Sequence, residues 1–156
     1  MELCDGRLDH PAVVARLLAH FAGMLAASPK DMTHFLDLSA LAAPEVTFVT
    51  AWEGETLLGC GALKALGGGE GELKSMRTAA SALRRGVASA ILMHLVGRAR
   101  AAGMTRLNLE TGTGPAFAAA EALYRRHEFA PCGPFGDYEA TDFNRFMTRA
   151  IRAVRT

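Results

Sequence analysis

The chain has 156 residues, half of them hydrophobic and about a fifth charged, enough for one domain with a core of useful size. A net charge of +1 provides no broad field to recruit nucleic acid or an acidic membrane surface. Cys4, Cys60 and Cys132 are far apart and odd in number, so their spacing suggests neither a disulfide framework nor a metal site, and a reduced cytoplasmic setting is expected.

The opening stretch, MELCDGRLDH, is too polar for a signal peptide, and no apolar run approaches a membrane span. Residues 2–8 suit a short first strand. His10 to Ala27 reads as a helix, with Asp9 as cap and Pro11 in the first turn. Val14, Leu17, Leu18, Phe21 and Leu25 recur at helical spacing, and Ser28-Pro29-Lys30-Asp31 ends the run. Met32 to Ala42 reads as a loop with a short helix. His34 and Asp37, three positions apart, can meet there, either as a surface histidine with a turn aspartate or as a pocket-lining pair.

Glu45 to Trp52 is rich in Val, Thr, Phe and Trp and suits a strand. Glu53-Gly54 signals a turn, and Thr56 to Leu66 continues as the hairpin partner. Gly59 and Gly61 flank Cys60, which points to close backbone approach or a bulge; Cys60 itself reads as a small buried residue. The cluster Gly67-Gly68-Gly69-Glu70-Gly71 reads as the next hairpin tip. It lacks the Gly-Lys-Ser/Thr ending of a nucleoside-triphosphate loop.

A strand from Glu72 to Thr78, a short loop and a long helix from Gly86 to Ala102 follow. Val87, Ile91 and Leu95 form one stripe of that helix and Leu92, Val96 and Ala99 the neighbouring one, giving a broad buried face. Gly103 terminates it. Gly97 inside it costs about 1 kcal/mol relative to alanine, and His94 beside the stripes reads as a partly exposed residue. The loop Leu83-Arg84-Arg85-Gly86-Val87-Ala88-Ser89 brings two arginines, a glycine and a helix start together. The first amides of a helix lack intrahelical acceptors and the helix dipole adds positive charge there, so the loop suits a phosphate or pyrophosphate. An ordinary strand-to-helix turn with solvated arginines has the same composition.

Thr105 to Glu110 alternates, with Leu107 and Leu109 on one face and Asn108 and Glu110 on the other, as in a half-buried strand. Thr111-Gly112-Thr113-Gly114 is a loop, and Pro115 opens a helix running to about His127, with Phe117, Ala120 and Tyr124 on one face. The tail reads as a strand from Phe129, a turn at Gly133-Pro134-Phe135-Gly136, and a final strand near Phe143 to Ala150. Alternating strands and helices from Glu72 onward argue for a mixed α/β sheet.

Arg84-Arg85-Gly86-Val87-Ala88 before an apolar helix, after a strand carrying a glutamate, resembles the coenzyme A segment of the GCN5-related N-acetyltransferase (GNAT) family. That family's loop, Gln/Arg-x-x-Gly-x-Gly/Ala, maps to Leu83, Gly86 and Ala88, with Leu83 departing from it. Ser28-Pro29, Thr33-His34-Phe35-Leu36-Asp37, Lys74-Ser75-Met76-Arg77-Thr78, Leu109-Glu110-Thr111-Gly112 and Pro134-Phe135-Gly136-Asp137-Tyr138 extend the likeness over nearly the whole chain. Together they are similar to a bacterial subgroup of small acetyltransferases of YsnE type. Ala119 stands where that subgroup often has proline. His127-Glu128-Phe129 replaces a usual x-Gly-Phe, so the helix exit is expected to shift and carry Tyr124 slightly with it.

The resemblance implies a single N-acetyltransferase domain over 1–156: α/β (α+β), a mixed, mostly antiparallel sheet flanked by helices on both faces, its fourth and fifth strands parting to admit acetyl-CoA. It implies transfer of an acetyl group from acetyl-CoA to a primary amine of a small molecule or peptide by direct attack, with no metal, nucleic acid or membrane involved; dimers are frequent in the family. Glu72, fourteen positions before Gly86, matches the family's general base, and Tyr124 its general acid. Arg84, Arg85, Gly86, Val87, Ala88 and Ser89 match the pyrophosphate loop, and the backbone at Met76, Arg77 and Thr78 the segment along the pantetheine arm. Glu110 and Phe117 are expected near the cofactor, with Glu110 the second candidate base. His34, Asp37 and Tyr138, with Arg77, are expected at the acceptor. Read without the family, Glu72 is a hairpin-end surface carboxylate paired with Lys74, and Tyr124 a core aromatic with its hydroxyl at the surface. A non-catalytic acyl-CoA sensor and a nucleotide-phosphate binder are the rival functions.

Overall fold

The computed structural model describes residues 1–5, 43–79 and 82–152. The expected first helix, the Met32–Ala42 loop and the pair His34 and Asp37 lie outside them. In chain order the strands are β1 Glu2–Asp5, β2 Val46–Glu53, β3 Thr56–Gly67, β4 Glu70–Thr78, β5 Arg106–Gly112, β6 Ala130–Cys132 and β7 Asn144–Ala150. Helix α1 spans Val87–Ala101 and α2 Ala118–Arg126, the latter led in by a 3-10 turn over Pro115–Phe117. Among the described residues the strands form one mixed sheet in the order β1-β2-β3-β4-β5-β7-β6. No helix among them is long and apolar enough to cross a membrane.

The chain divides into two compact units, Met1–Lys64 with Ser75–Leu95, and Ala65–Lys74 with Val96–Thr156. In the first, β2 pairs antiparallel with both β1 and β3. The β2–β3 loop is two residues, and Gly54 holds its first position at φ 60, the geometry of a type II′ turn. The core is built on Val49, Leu58, Cys60 and Leu63 under Val87, Ile91 and Leu95 of α1, all at most 3 % exposed. The expected close approach at Gly59 and Gly61 is present. A Cβ on Gly59 would lie 2.7 Å from the Arg77 carbonyl oxygen, and one on Gly61 would lie 2.5 Å from Met76 Sδ and 2.8 Å from Ile91 Cγ2.

In the second unit β4 and β5 run parallel, with Glu70 to Leu73 opposite Arg106 to Leu109. β7 pairs antiparallel with β5 and with β6. The glycine hairpin tip is tighter than expected. β3 continues to Gly67 and β4 starts at Glu70, leaving Gly68 and Gly69, both at positive φ, as a two-residue turn, because only glycine takes two such residues without strain.

Both helices end in the same way. After α1, Gly103 sits at φ 82, its amide bonds to Arg100 O, and Met104 N bonds to Ala99 O at 3.0 Å, a Schellman motif. After α2, Glu128 takes the left-handed position at φ 70, with Glu128 N on Arg125 O and Phe129 N on Tyr124 O at 3.0 Å. The missing glycine therefore does not abolish the helix exit: a glutamate occupies the same left-handed slot.

Candidate active site

The acidic face of the second unit follows from strand register. In β4 and β5, Glu72 stands opposite Asn108, and in β5 and β7, Asn108 stands opposite Thr148 and Glu110 opposite Phe146. Registered partners and every second residue share a face, so Glu70, Glu72 and Lys74 of β4, Arg106, Asn108 and Glu110 of β5, and Phe146 and Thr148 of β7 line one side. Leu107, Leu109 and Met147, each at most 1 % exposed, occupy the other.

Glu72 is 4 % exposed, which corrects its reading as a surface carboxylate paired with Lys74. Its Oε2 accepts a 2.6 Å bond from the Tyr138 hydroxyl. The short distance is that of a phenol on a charged acceptor. Tyr138 is pushed above the ordinary phenol value by burial first, then by the bond and charge of Glu72 and the charge of Glu110. Its ring is held edge-on to Phe135, with centroids 5.2 Å apart, and beside Phe146, which Phe135 also meets edge-on.

Asn108, expected on a solvated strand face, is also 4 % exposed. Its amide donates to Glu70 Oε1 at 3.2 Å and to Gly71 O at 3.3 Å, and its Oδ1 accepts from the Thr148 hydroxyl at 3.0 Å. Hydrogen bonding of this kind is what allows a buried amide, and here it ties three strands together beside Glu72. Glu110 is exposed, and its Oε2 accepts from Asn144 Nδ2 at 2.8 Å. Asn108, Asn144 and Phe146 were not among the expected site residues. The alternation of Thr105–Glu110 marks Asn108 as polar but not as buried, and nothing local marks the other two.

Tyr124 lies on α2, 7 % exposed, with its ring edge-on to Phe129 at 5.9 Å. The helix carrying it is tied to β7 through Glu121, which accepts from Arg145 at 3.3 Å and from Arg125 of its own helix at 3.2 Å. Phe117 is half-buried and packs its ring against Gly112, where any side chain would collide with it.

The expected phosphate loop belongs to the first unit. Leu83 to Gly86 are exposed, and Arg84 and Gly86 take φ values of 64 and 78. Left-handed residues flanking Arg85 alternate the direction of successive amides, a geometry that gathers N–H groups around an anion. The first helical bond runs from Ala90 N to Gly86 O, so the Val87 and Ala88 amides precede the helical ladder. A Cβ placed on Gly86 would meet nothing within 4 Å, and the main chain there is open to a bulky anion. Arg85 is engaged elsewhere, its guanidinium pairing with Glu53 at the end of β2. Arg84 and Arg77 are exposed, while Thr78, Ala88 and Ser89 are half-buried and Val87 is buried.

Upstream of the loop, Ser75 interrupts β4 with φ 55, and its carbonyl accepts from the Cys60 thiol at 3.3 Å. Burial pushes that thiol up to about 12 against the opposing influence of Arg77, so Cys60 is a protonated core residue, as its sequence context suggested.

The described residues thus make an α/β protein with a mixed seven-stranded sheet, a helix start whose first amides are open, and a buried carboxylate at Glu72. The Acetyltransferase (GNAT) family matches residues 14–129. The chain is 51% identical over 144 residues to the uncharacterised N-acetyltransferase YedL of Escherichia coli (strain K12), covering 92% of this chain and 91% of that one. It is 45% identical over 139 residues to the uncharacterised N-acetyltransferase YsnE of Bacillus subtilis (strain 168), covering 89% and 92%. A solved aminoglycoside 6′-N-acetyltransferase complexed with coenzyme A is similar at a TM-score of 0.73 over 100% of both chains, with 12% identity, a likeness of fold alone. The chain belongs to the acetyltransferase (GNAT) family.

Proposed function

We propose that this protein is a single-domain N-acetyltransferase that moves the acetyl group of acetyl-CoA to a primary amine of a small molecule or peptide. The observation that supports this reading is the buried Glu72 carboxylate, fixed by a tyrosine hydroxyl, at the position that the sequence resemblance matches to the family's base. A buried carboxylate with a fixed donor is the kind of group that general-base catalysis uses.

Glu72 takes a proton from the acceptor ammonium, the freed nitrogen lone pair forms the new bond to the carbonyl carbon, and the carbon–sulfur bond breaks. Tyr124 gives its hydroxyl proton to the leaving thiolate, and the acylated nitrogen releases its second proton to solvent, from which the Tyr124 phenolate is reprotonated. Main-chain donors at Met76, Arg77 and Thr78 serve the carbonyl oxygen as charge builds on it. The open amides from Arg84 to Ser89 hold the pyrophosphate, with Glu110 and Phe117 assigned to the cofactor and His34 and Asp37 to the acceptor.

The test is calorimetric titration with CoA together with acetyl-CoA thiol release across amino acids, polyamines, aminoglycosides and peptides. Tyr124→Phe should lose rate by roughly ten-fold or more while keeping CoA affinity. Unchanged turnover in that variant would remove the acid role. CoA binding without turnover of any acceptor would favour an acyl-CoA sensor. Absence of both heat and thermal stabilisation at millimolar CoA would sink the CoA-dependent reading, since a specific ligand must stabilise the fold by mass action.

A further inference from the structure

We infer that Tyr138 is a positioning residue for Glu72: its hydroxyl anchors one carboxylate oxygen so that the other is presented to the acceptor amine. The inference rests on the transferase reading above and gives Tyr138 a task other than contact with the acceptor.

Three observations carry it. A carboxylate at 4 % exposure is costly unless it is hydrogen-bonded, and the Tyr138 hydroxyl meets Glu72 Oε2 at 2.6 Å from 66 residues away in the chain. The phenol ring is oriented without help from Glu72. Phe135 and Phe146, which also meet each other, both pack against it, and the Tyr138 amide closes a turn onto Phe135 O at 3.2 Å. The hydroxyl also has one protonation state to offer. Burial and the neighbouring carboxylates raise the phenol above its ordinary value, so it keeps its proton throughout the working range.

The charged and titratable groups on this face include Tyr138 from the 133–143 segment, Glu110 and Arg106 from β5, and Glu70 and Lys74 from β4, with Arg106 opposite Glu70 and bonded to the Thr148 hydroxyl at 3.0 Å; Asn108 adds an amide between β4 and β7. A phenolate facing the Glu72 and Glu110 carboxylates is disfavoured, so the Tyr138 hydroxyl is suited to hold the Glu72 carboxylate in one orientation as a donor that keeps its proton. In the transfer step the amine proton passes to the other oxygen of Glu72, and Tyr138 ends with the proton it started with.

The experiment uses the full chain and has two arms. In the first, Tyr138→Phe keeps the ring and removes the donor. The kcat should fall by roughly ten-fold while the KM values for acetyl-CoA and for the amine stay within about two-fold, with thermal stability and CoA stoichiometry confirming the fold. A raised acceptor KM at constant kcat would make Tyr138 a binding residue and overturn the proposal, as would kinetics unchanged in both constants. The second arm needs no turnover. The chain has two tyrosines, so tyrosinate absorbance can be followed with Tyr124 replaced by Phe. Glu72→Gln should let Tyr138 ionise at lower pH than its parent, and an unmoved titration would overturn the pairing. If the wild type neither binds CoA nor releases thiol, the transferase reading itself fails and the positioning role falls with it; the absorbance arm separates that result from loss of the Glu72–Tyr138 bond.

Discussion

Around Gly59 and Gly61 side chains are kept out so that backbone and helix can approach; around Glu72 they are crowded in and paired. In the first unit the Arg84–Ser89 loop opens main-chain amides, and the glycines of β3 admit Val87 and Ile91 of α1 against β3. In the second unit the chemistry belongs to side chains. Glu72, Asn108 and Thr148 are bound by partners on other strands or loops. Main-chain chemistry tolerates changes of side-chain identity but not added volume. Side-chain chemistry tolerates small changes of volume but not loss of a donor or acceptor.

The sharpest test of that contrast is Glu72→Gln. It keeps the volume and removes the charge, and kcat/KM for acetyl transfer should fall by about 10²- to 10⁴-fold, with CoA affinity by calorimetry unchanged. A rate within a factor of a few of wild type would move the base role to Glu110 or water.

Gly59→Ala is the converse, adding one methyl and no polarity. The new Cβ would lie 2.7 Å from a main-chain oxygen and 3.2 Å from Val87 Cγ1. Backbone cannot step aside as a side-chain tip can, and overpacking of this kind costs about 1–3 kcal/mol, to be read from urea unfolding. No loss of stability would show that β3 and α1 are less closely seated than described.

The two helix ends sharpen the comparison further. Gly103 and Glu128 fill the same left-handed position in the same hydrogen-bonded motif. A non-glycine residue is strained there by about 1–2 kcal/mol. The ion pair from Glu128 to Arg149 at 3.0 Å is exposed on the Glu128 side and contributes about 0–1 kcal/mol. Glu128→Gly should therefore stabilise the protein by up to about 1 kcal/mol, seen as a higher midpoint in urea; a lower midpoint would mean that the ion pair outweighs the strain.

The smallest expected effect comes from His127, at the same exit. Burial, then Arg149 and Arg126, lower its proton affinity below the ordinary value, with Glu128 opposing. A histidine whose folded value lies below its unfolded one binds more protons unfolded, so stability declines as pH falls below about 6.5. Replacing His127 with Gln should flatten that part of the stability–pH curve, and an unaltered slope would discount the residue.

Much of the architecture could be read along the chain. The two stripes of α1, the turn at Gly54, the stop at Gly103 and the alternation of Leu107 and Leu109 are local signals, written within four or five residues of where they act. The helix start after Gly86 was legible for the same reason, since a glycine and a following apolar stripe are local signals. Legibility fails at Asn108, whose alternation says polar and whose neighbours make it buried. It fails at Arg85, whose partner Glu53 lies 32 positions away, and at Glu128, where composition predicted a displaced helix end and the chain instead accepted a strained glutamate.

Among the described residues, the sequence by itself determined most of the strands and both helices, their main turns, and which family the chain resembles, because periodicity, turn residues and motif spacing act at short range. Only the tertiary structure decided that Glu72 is buried and that Tyr138 is its partner. That outcome depends on register across β4, β5 and β7 and on the ring packing of Phe135 and Phe146, interactions between residues tens of positions apart that no local pattern encodes.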